Sequence, residues 1–346
     1  MSMAKENITD QIRKKAILDV LATFNADDFK EEGIFRKSVE NNDLTKNVDS
    51  LVDPLIPNHE ILVPNMDPYL KAASVKQLLR ELKKSHHALF NQEITNALVA
   101  TRDEPKKDIK LENVATALSS LSDANKLILS SLLTTCSDIA ASVDTNLMTP
   151  TNLAVVIAPN LGTFGDTPAE MMASVQLNDD FTFIIENKDA LAMSLQVEQP
   201  IQVKSKLDSA VNKGQLVISM FTHIKQEIEN KDWEVSLGGG VTVMLDNGNK
   251  KTLPKHAAEL YQVCQNTTLD NMAESMSKVD EILSNRDSPK TFIDWVKSLF
   301  SSRKESTKEF YKTTEDKFNN LKEDYNKIDK GPDEGVQENV EQRPTI

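Results

Sequence analysis

Apolar residues recur at helical spacing through most of the chain. Val75, Leu78, Leu79 and Leu82 fall at positions i, i+3, i+4 and i+7, so they form one stripe along a predicted helix. Similar patterns predict one helix over 12–24, one over 123–141 and two helical pieces over 170–195. The segment 43–67 instead contains three prolines among Asn and Asp residues that favour turns, and we predict a loop there. The pattern therefore predicts a mainly α-helical domain over residues 1–195.

Beyond residue 195 the pattern changes. Gln, Glu and Pro residues predict a linker over 196–203, followed by a helix over 207–228. Strand-like alternation from 233 to 253 surrounds Asp246-Asn-Gly-Asn249, which is typical of a tight hairpin turn. Further helices are predicted within 257–328, and the Glu-, Gln- and Asp-rich residues 331–346 are predicted to be a disordered acidic tail. We expect residues 204–330 to form a mostly helical second domain of unknown role with a small β-hairpin.

Net charge, cysteine content and the lack of long apolar runs argue against several classes of protein. The net charge of −13 argues against nucleic acid as the main partner, because phosphate binding needs a positive surface. Cys136 and Cys264 are too few and too distant for a disulfide framework or a metal site, so we expect two core residues and no metal. The N-terminal residues contain no signal-like apolar run, and no stretch approaches the 18 apolar residues of a membrane span. A cytoplasmic protein is the expectation.

Four polar residues are candidates for function. Arg36 directly follows a glycine and two bulky apolar residues, an order that predicts burial of Ile34 and Phe35 and an outward cationic side chain. Lys76 and Arg80 lie four residues apart on one helix face, which fits either a solvated surface or a pair directed at an acidic or phosphate-bearing partner.

The fourth candidate is Asn152, a polar residue near the start of an otherwise apolar helix. Thr149 followed by Pro150 predicts that this helix begins with a hydroxyl cap and a proline in its first turn. Local capping is the simplest explanation of Asn152 from its position alone.

Three segments together resemble the signature blocks of the RhoGAP domain, a helical module that accelerates GTP hydrolysis by Rho-family GTPases. They are Gly-Ile-Phe-Arg at 33–36, Val-Lys-Gln-Leu-Leu-Arg-Glu-Leu at 75–82 and Asn-Leu-Ala-Val-Val-Ile-Ala-Pro-Asn-Leu at 152–161. The lead-in Asn-Leu-Met-Thr at 146–149 is similar to the family's Asn-Lys-Met-Thr. The resemblance covers about residues 8–195 and implies a RhoGAP-like helical bundle.

The resemblance also implies a role for each candidate residue. Arg36 matches the catalytic arginine finger; Lys76 and Arg80 match residues that contact the GTPase switch regions and support the finger loop. Asn152 matches an asparagine that hydrogen-bonds at the interface between finger and switch. The implied partner is a Rho-family GTPase in its GTP-bound state. No cofactor of this chain's own is implied, since GTP and Mg²⁺ are held by the partner, and the protein would be a catalytic activator rather than an enzyme in the strict sense.

The sequence departs from the family after Leu82. The family usually continues Pro-Glu-Pro-Leu, whereas Lys-Lys-Ser-His occupies 83–86, so the loop that leaves this helix differs and partner choice is open. An alternative to an active GTPase-activating protein is a catalytically silent module that binds a Rho GTPase and targets a C-terminal effector or scaffold domain. A third hypothesis places an enzyme within 200–330, although no nucleophile, base and orienting group are evident there.

Two further expectations concern context. Residues 290–304 combine aromatic and basic side chains, which fits either a core helix, the commoner case, or a peripheral membrane contact. The Asn-, Lys- and Ile-rich composition and the acidic tail suggest a bacterial effector that would act in the host cytosol, while a protist or fungal regulator would have a similar sequence.

Overall fold

The computed structural model describes residues 8–53, 66–102, 104–162, 168–233, 235, 240–268, 271–284 and, near the C-terminus, 314, 316, 317, 319, 320 and 322–324. The chain divides into two compact units, Met1–Val211 (unit 1) and Asn212–Ile346 (unit 2). The described residues are mainly helical, as predicted, with a single two-stranded antiparallel sheet among them. The segment 290–304 and the tail 331–346 lie outside the described residues.

Unit 1 is built from ten helices and the beginning of an eleventh among its described residues. They are α1 (Ile8–Leu21), α2 (Asn41–Val52), α3 (Pro68–Lys84), α4 (Gln92–Ala100), α5 (Lys107–Ser119), α6 (Asp123–Ala141), α7 (Val143–Asn146), α8 (Pro150–Ile157), α9 (Pro168–Glu186), α10 (Lys188–Leu191) and α11 (Pro200–Asn230). Short 3-10 turns occupy Asp28–Lys30, Ala158–Asn160 and Ala192–Leu195.

Side-chain caps fix where several helices begin. The carboxylate of Asp67 accepts hydrogen bonds from two backbone N–H groups at the start of α3. Ser122 caps α6 in the same way, and Thr149 accepts from the backbone N–H of Asn152 at the start of α8. Pro68 and Pro150 occupy first helical positions, where no N–H is needed. The start predicted for α8 is confirmed.

The core of unit 1 surrounds helices α1, α3 and α6. Helix α1 packs against α3 and α6, while α9 packs against α8 and α4. The predicted stripe of α3 is confirmed, since Val75, Leu78, Leu79 and Leu82 are all at most 1% exposed. Burial of this stripe is the main force that holds α3 in place, because each fully buried aliphatic side chain contributes about 1.5–3 kcal/mol. Helix α3 thereby becomes a fixed support for the polar residues it carries.

Two segments differ from the prediction. Residues 41–52 form α2 where a loop was predicted; the prolines that suggested a loop lie after this helix, and its Val48 and Leu51 are buried. The predicted linker 196–203 is irregular only at its start, because Pro200 begins the 31-residue helix α11. Pro200 was one of the residues that indicated a linker, but at a helix start the missing N–H of proline costs nothing. The two compact units divide within α11, after Val211.

Unit 2 contains the remainder of α11 and the predicted hairpin. Its other described elements are β1 (Gly240–Met244), β2 (Lys250–Pro254), α12 (Lys255–Gln265) and α13 (Met272–Ser284). The strands pair antiparallel with Val241 opposite Leu253, and Gly248 has a φ of +81° in the connecting turn. The hairpin and its turn are therefore confirmed. Both cysteines are buried and free, also as predicted.

Two features are absent from the described residues. None of the helices described here is both long and apolar enough to cross a membrane. Within the same described ranges, no group of three or more His, Cys, Asp and Glu side chains is arranged to hold a metal ion.

Candidate functional site

Arg36 lies at the end of a tight turn that is held by backbone hydrogen bonds. The N–H groups of Arg36 and Lys37 both donate to the carbonyl of Gly33, at 2.8 and 2.9 Å. The N–H of Gly33 donates in turn to the carbonyl of Asn146, at 2.7 Å. Gly33 has a φ of +70° and Phe35 a φ of +65°, so two residues of this turn adopt the left-handed region. For a bulky residue such as Phe35 this conformation is strained, and the surrounding contacts must hold it.

Burial of the preceding side chains supplies those contacts. Ile34 and Phe35 are completely buried, whereas Arg36 is exposed, which confirms the arrangement predicted from the sequence. The ring of Phe35 stacks on Phe24 with centroids 5.8 Å apart, and Phe24 stacks on Phe29 at 6.4 Å. The arginine is therefore presented to solvent from a packed aromatic base.

Helix α3 contacts the same turn through Lys76. Its ammonium group donates a hydrogen bond to the carbonyl of Phe35, the residue directly before Arg36. Burial lowers the pKa of Lys76, and the positive charge of Arg80 lowers it further. Arg80 is exposed and donates to the side-chain carbonyl of Gln77 at 2.7 Å. The structure thus connects Lys76 to the arginine turn and leaves the guanidinium of Arg80 on the surface.

Asn152 lies exposed in the first turn of α8. Its side-chain amide donates to the carbonyl of Leu147 at 3.0 Å, and its backbone N–H donates to the hydroxyl of Thr149. Leu147 and Val155 are each 51% exposed, so apolar surface lies on either side of Asn152 along the chain. The capping hydrogen bond comes from the backbone of Asn152, and its side chain remains at the surface.

Asn146 joins these segments, and sequence reasoning assigned it no role. It is completely buried, and its side-chain amide donates to the carbonyls of Phe29 and Ile139, both at 2.6 Å. Its side-chain oxygen accepts from the N–H of Met148 at 2.7 Å. With its own carbonyl bonded to Gly33, Asn146 ties the arginine turn to the end of α6 and to the approach of α8. The lead-in 146–149 was the available signal, but the resemblance attached no function to it.

Two residues at the start of α3, Tyr69 and Lys71, also contact the segment that leads to Arg36 and were not predicted. Lys71 is 1% exposed. It precedes Val75 by four residues and so extends the apolar stripe by one turn, which was a usable signal of burial. Tyr69 gave no comparable signal, because its partners are more than 30 residues away in the sequence.

Comparison with known proteins identifies the domain. Residues 15–163 match the family model of the RhoGAP domain, within the 8–195 expected from the sequence. Mouse Rho GTPase-activating protein 7 is 32% identical over 134 residues, which are 37% of this chain and 11% of that protein. Human Rho GTPase-activating protein 44 is 30% identical over 132 residues, 38% of this chain and 15% of that protein. The crystal structure of human Rho GTPase activating protein 15 covers 52% of this chain and 82% of its own, with 17% identity and a TM-score of 0.45.

Residues 15–163 are therefore a RhoGAP domain, and the signature blocks of the sequence lie in or at the edge of it. The matched region spans only about a tenth to a seventh of the length of the two relatives. Both relatives are mammalian, and the comparisons give no support to the expectation of a bacterial effector.

Proposed function

We propose that unit 1 stimulates GTP hydrolysis by a Rho-family small GTPase and supplies Arg36 in trans as an arginine finger. The observation that carries this proposal is the mounting of Arg36. An exposed arginine follows two fully buried side chains, on a turn that is hydrogen-bonded to Asn146 through Gly33 and to Lys76 through Phe35. A strained backbone conformation persists only where surrounding contacts maintain it, and such positions are concentrated at functional sites.

The chemistry of the reaction calls for this group. Negative charge is spread over the transferring phosphoryl group and the leaving oxygen in the transition state of GTP hydrolysis. The partner already holds GTP and Mg²⁺, so the activator needs no cofactor of its own. A guanidinium adds donors of fixed planar geometry, and arginine fingers raise hydrolysis rates about 10³–10⁵-fold.

The other three candidates have supporting roles in the proposal. Lys76 holds the carbonyl that directly precedes Arg36, and thus supports the finger. Arg80 and Asn152 are exposed and are proposed to contact the switch regions of the GTP-bound partner. A preference for the GTP-bound state follows, because those regions take up their binding conformation with the γ-phosphate in place.

The test is single-turnover GTP hydrolysis by a panel of Rho, Rac and Ras GTPases, with wild-type protein, Arg36→Ala and Arg36→Lys. We expect wild type to accelerate at least one Rho-family member and Arg36→Ala to lose at least about 100-fold of that acceleration. Arg36→Lys should remain far below wild type, since an ammonium group lacks the planar fork. Lys107→Ala, an exposed residue at the start of α5, is the matched control and should behave as wild type.

A binding measurement with the same proteins and the GTP-loaded GTPases addresses the silent binding module. If wild type binds the GTP-loaded GTPase without accelerating hydrolysis, and Arg36→Ala binds equally well, then the proposed activity is wrong and the binding module is the better description.

A further inference from the structure

A buried ion pair holds the segment that leads to Arg36. The ammonium group of Lys71 lies 2.8 Å from the carboxylate of Asp28, with the two side chains only 1% and 8% exposed. It also donates to the carbonyl of Thr23 at 3.1 Å and lies 5.7 Å from the ring centroid of Phe24. Lys71 therefore fixes two points of the chain between α1 and the finger. We call residues 23–37 the finger segment.

A second contact from the same helix lies nearer the finger. The hydroxyl of Tyr69 is 3.1 Å from the carboxylate of Glu31 and 3.1 Å from the carbonyl of Glu32. Lys37, which follows Arg36, places its ammonium group 3.4 Å from that hydroxyl and 5.3 Å from the centroid of the tyrosine ring. Tyr69 thus contacts the finger segment on both sides of Arg36.

We propose that Tyr69 and Lys71 are positioning residues that set where the finger segment holds the guanidinium of Arg36. The proposal rests on the proposed GTPase-activating function and adds to it two residues that do not touch the substrate. Together with Lys76, they make the first three turns of α3 the support of the finger segment, which has contacts near its beginning, middle and end.

The buried ion pair between Lys71 and Asp28 is better explained by a role in positioning the finger segment than by a role in stability. Removing two charges from water is costly, and replacing a buried pair with apolar residues of similar size is often neutral or stabilising. What Lys71 and Asp28 supply that apolar residues would not is one defined arrangement, with the ammonium directed at both a carboxylate and a backbone carbonyl. A residue that only filled the core would not need these partners.

A displaced finger should affect the transition state more than the ground state. The charge that Arg36 meets is largest in the transition state, so its misplacement lowers the maximal stimulated rate. Binding of the GTP-loaded partner depends on a broader surface and should change little. A shift of about 1 Å in a catalytic group can cost on the order of 100-fold in rate.

The first variant is Tyr69→Phe, which keeps the ring and removes the hydroxyl. The second is the double variant Asp28→Asn/Lys71→Met, which removes both buried charges together and avoids leaving one unpaired. We expect the maximal stimulated rate to fall about 3–10-fold for Tyr69→Phe and about 10–100-fold for the double variant. The activator concentration that gives half of the maximal rate should stay within about twofold of wild type, and Lys107→Ala should match wild type in both quantities.

Hydrogen exchange supplies a readout that does not depend on activity. The N–H groups of Arg36 and Lys37, which donate to Gly33, should exchange faster in both variants, while α6 keeps its wild-type protection. The inference is overturned if both variants keep the wild-type maximal rate, or if only the half-saturating concentration changes. A wild type that accelerates no GTPase would instead refute the proposed function. An unchanged exchange of the finger amides would refute the positioning role by itself.

Discussion

At the scale of single residues, the site depends on a backbone that most residues avoid. Gly33 adopts a φ of +70°, and a methyl group added to it would lie 3.4 Å from both the guanidinium of Arg36 and the side chain of Lys37. These are ordinary van der Waals distances, so the glycine is needed for its left-handed backbone conformation rather than for space beside Arg36. Phe35 also adopts the left-handed conformation, which is strained for a residue other than glycine. Its complete burial and the hydrogen bond from Lys76 to its carbonyl maintain that conformation.

We therefore predict that Gly33→Ala lowers the free energy of unfolding of unit 1 by about 1–2 kcal/mol, the cost of a left-handed non-glycine residue. Urea unfolding measures it. Gly248→Ala is the matched control, because Gly248 has a φ of +81° but no neighbour within 4 Å of the added carbon. That control should show a similar backbone cost in unit 2 and leave GTPase stimulation unchanged. Gly33→Ala should also reduce stimulation, because it strains the turn whose carbonyl accepts the N–H of Arg36. Full stimulation by Gly33→Ala would show that the conformation of this turn does not control the position of Arg36.

At the scale of elements, α3 and residues 146–149, which lead to α8, both hold the finger segment in place. Helix α3 is fixed by its buried stripe and contacts the segment through Tyr69, Lys71 and Lys76. Residues 146–149 contact the finger segment through Asn146, whose side-chain amide donates to Phe29 and whose backbone carbonyl accepts from Gly33. The segment itself has only one short 3-10 turn, so its shape is imposed by these neighbours.

Asn146 provides a prediction at this scale. Asn146→Ala would leave the carbonyls of Phe29 and Ile139 and the N–H of Met148 without their side-chain partner, and we expect a loss of about 3 kcal/mol in the free energy of unfolding of unit 1. Asn152→Ala, at an exposed position, should change it by less than about 0.5 kcal/mol while weakening GTPase stimulation. Denaturant unfolding of both variants is the measurement. Equal losses in the two variants would show that Asn146 has no special structural role.

At the scale of the whole molecule, each compact unit contains one buried cysteine, Cys136 in unit 1 and Cys264 in unit 2. Burial raises the pKa of Cys136 well above its usual range and that of Cys264 to about 12. Because the thiolate is the reactive form, neither thiol should react readily at neutral pH in the folded protein. Labelling of each thiol therefore reports the opening of its own unit.

We predict that Cys264 becomes reactive at a lower urea concentration than Cys136, because unit 2 is the shorter of the two units and a smaller unit buries a smaller share of its surface. The measurement is labelling with a thiol reagent at increasing urea, with each cysteine assigned by peptide mass. The variants Cys136→Ala and Cys264→Ala control for reaction at one site influencing the other. Labelling of both thiols at one urea concentration would contradict the prediction.

Local patterns in the sequence were sufficient to predict several features of the fold and of the site. The period of apolar residues located α3 and α6, the Thr-Pro pair located the start of α8, and the Asn-Gly turn located the hairpin. The order glycine, two apolar residues, arginine was enough to predict that Arg36 is exposed above two buried side chains. Such features follow from which face of an element is apolar, and neighbours in the sequence decide that.

The distant groups that contact the finger segment could not be predicted from the sequence, because the packing of the helices brings them together. Lys71 and Asp28 are 43 residues apart, Tyr69 and Glu31 are 38 apart, and Asn146 and Phe29 are 117 apart. Periodicity could place Lys71 on the buried face of α3, but it could not name the carboxylate that compensates its charge. The segments of α2 and of the start of α11 were predicted as a loop and a linker because prolines lie in or near them. Both fold as helices, since packing and the position of a proline relative to the helix decide whether such a segment is helical. Which distant side chains become hydrogen-bond or ion-pair partners depends on how the helices pack, and the local sequence around each residue does not specify that packing.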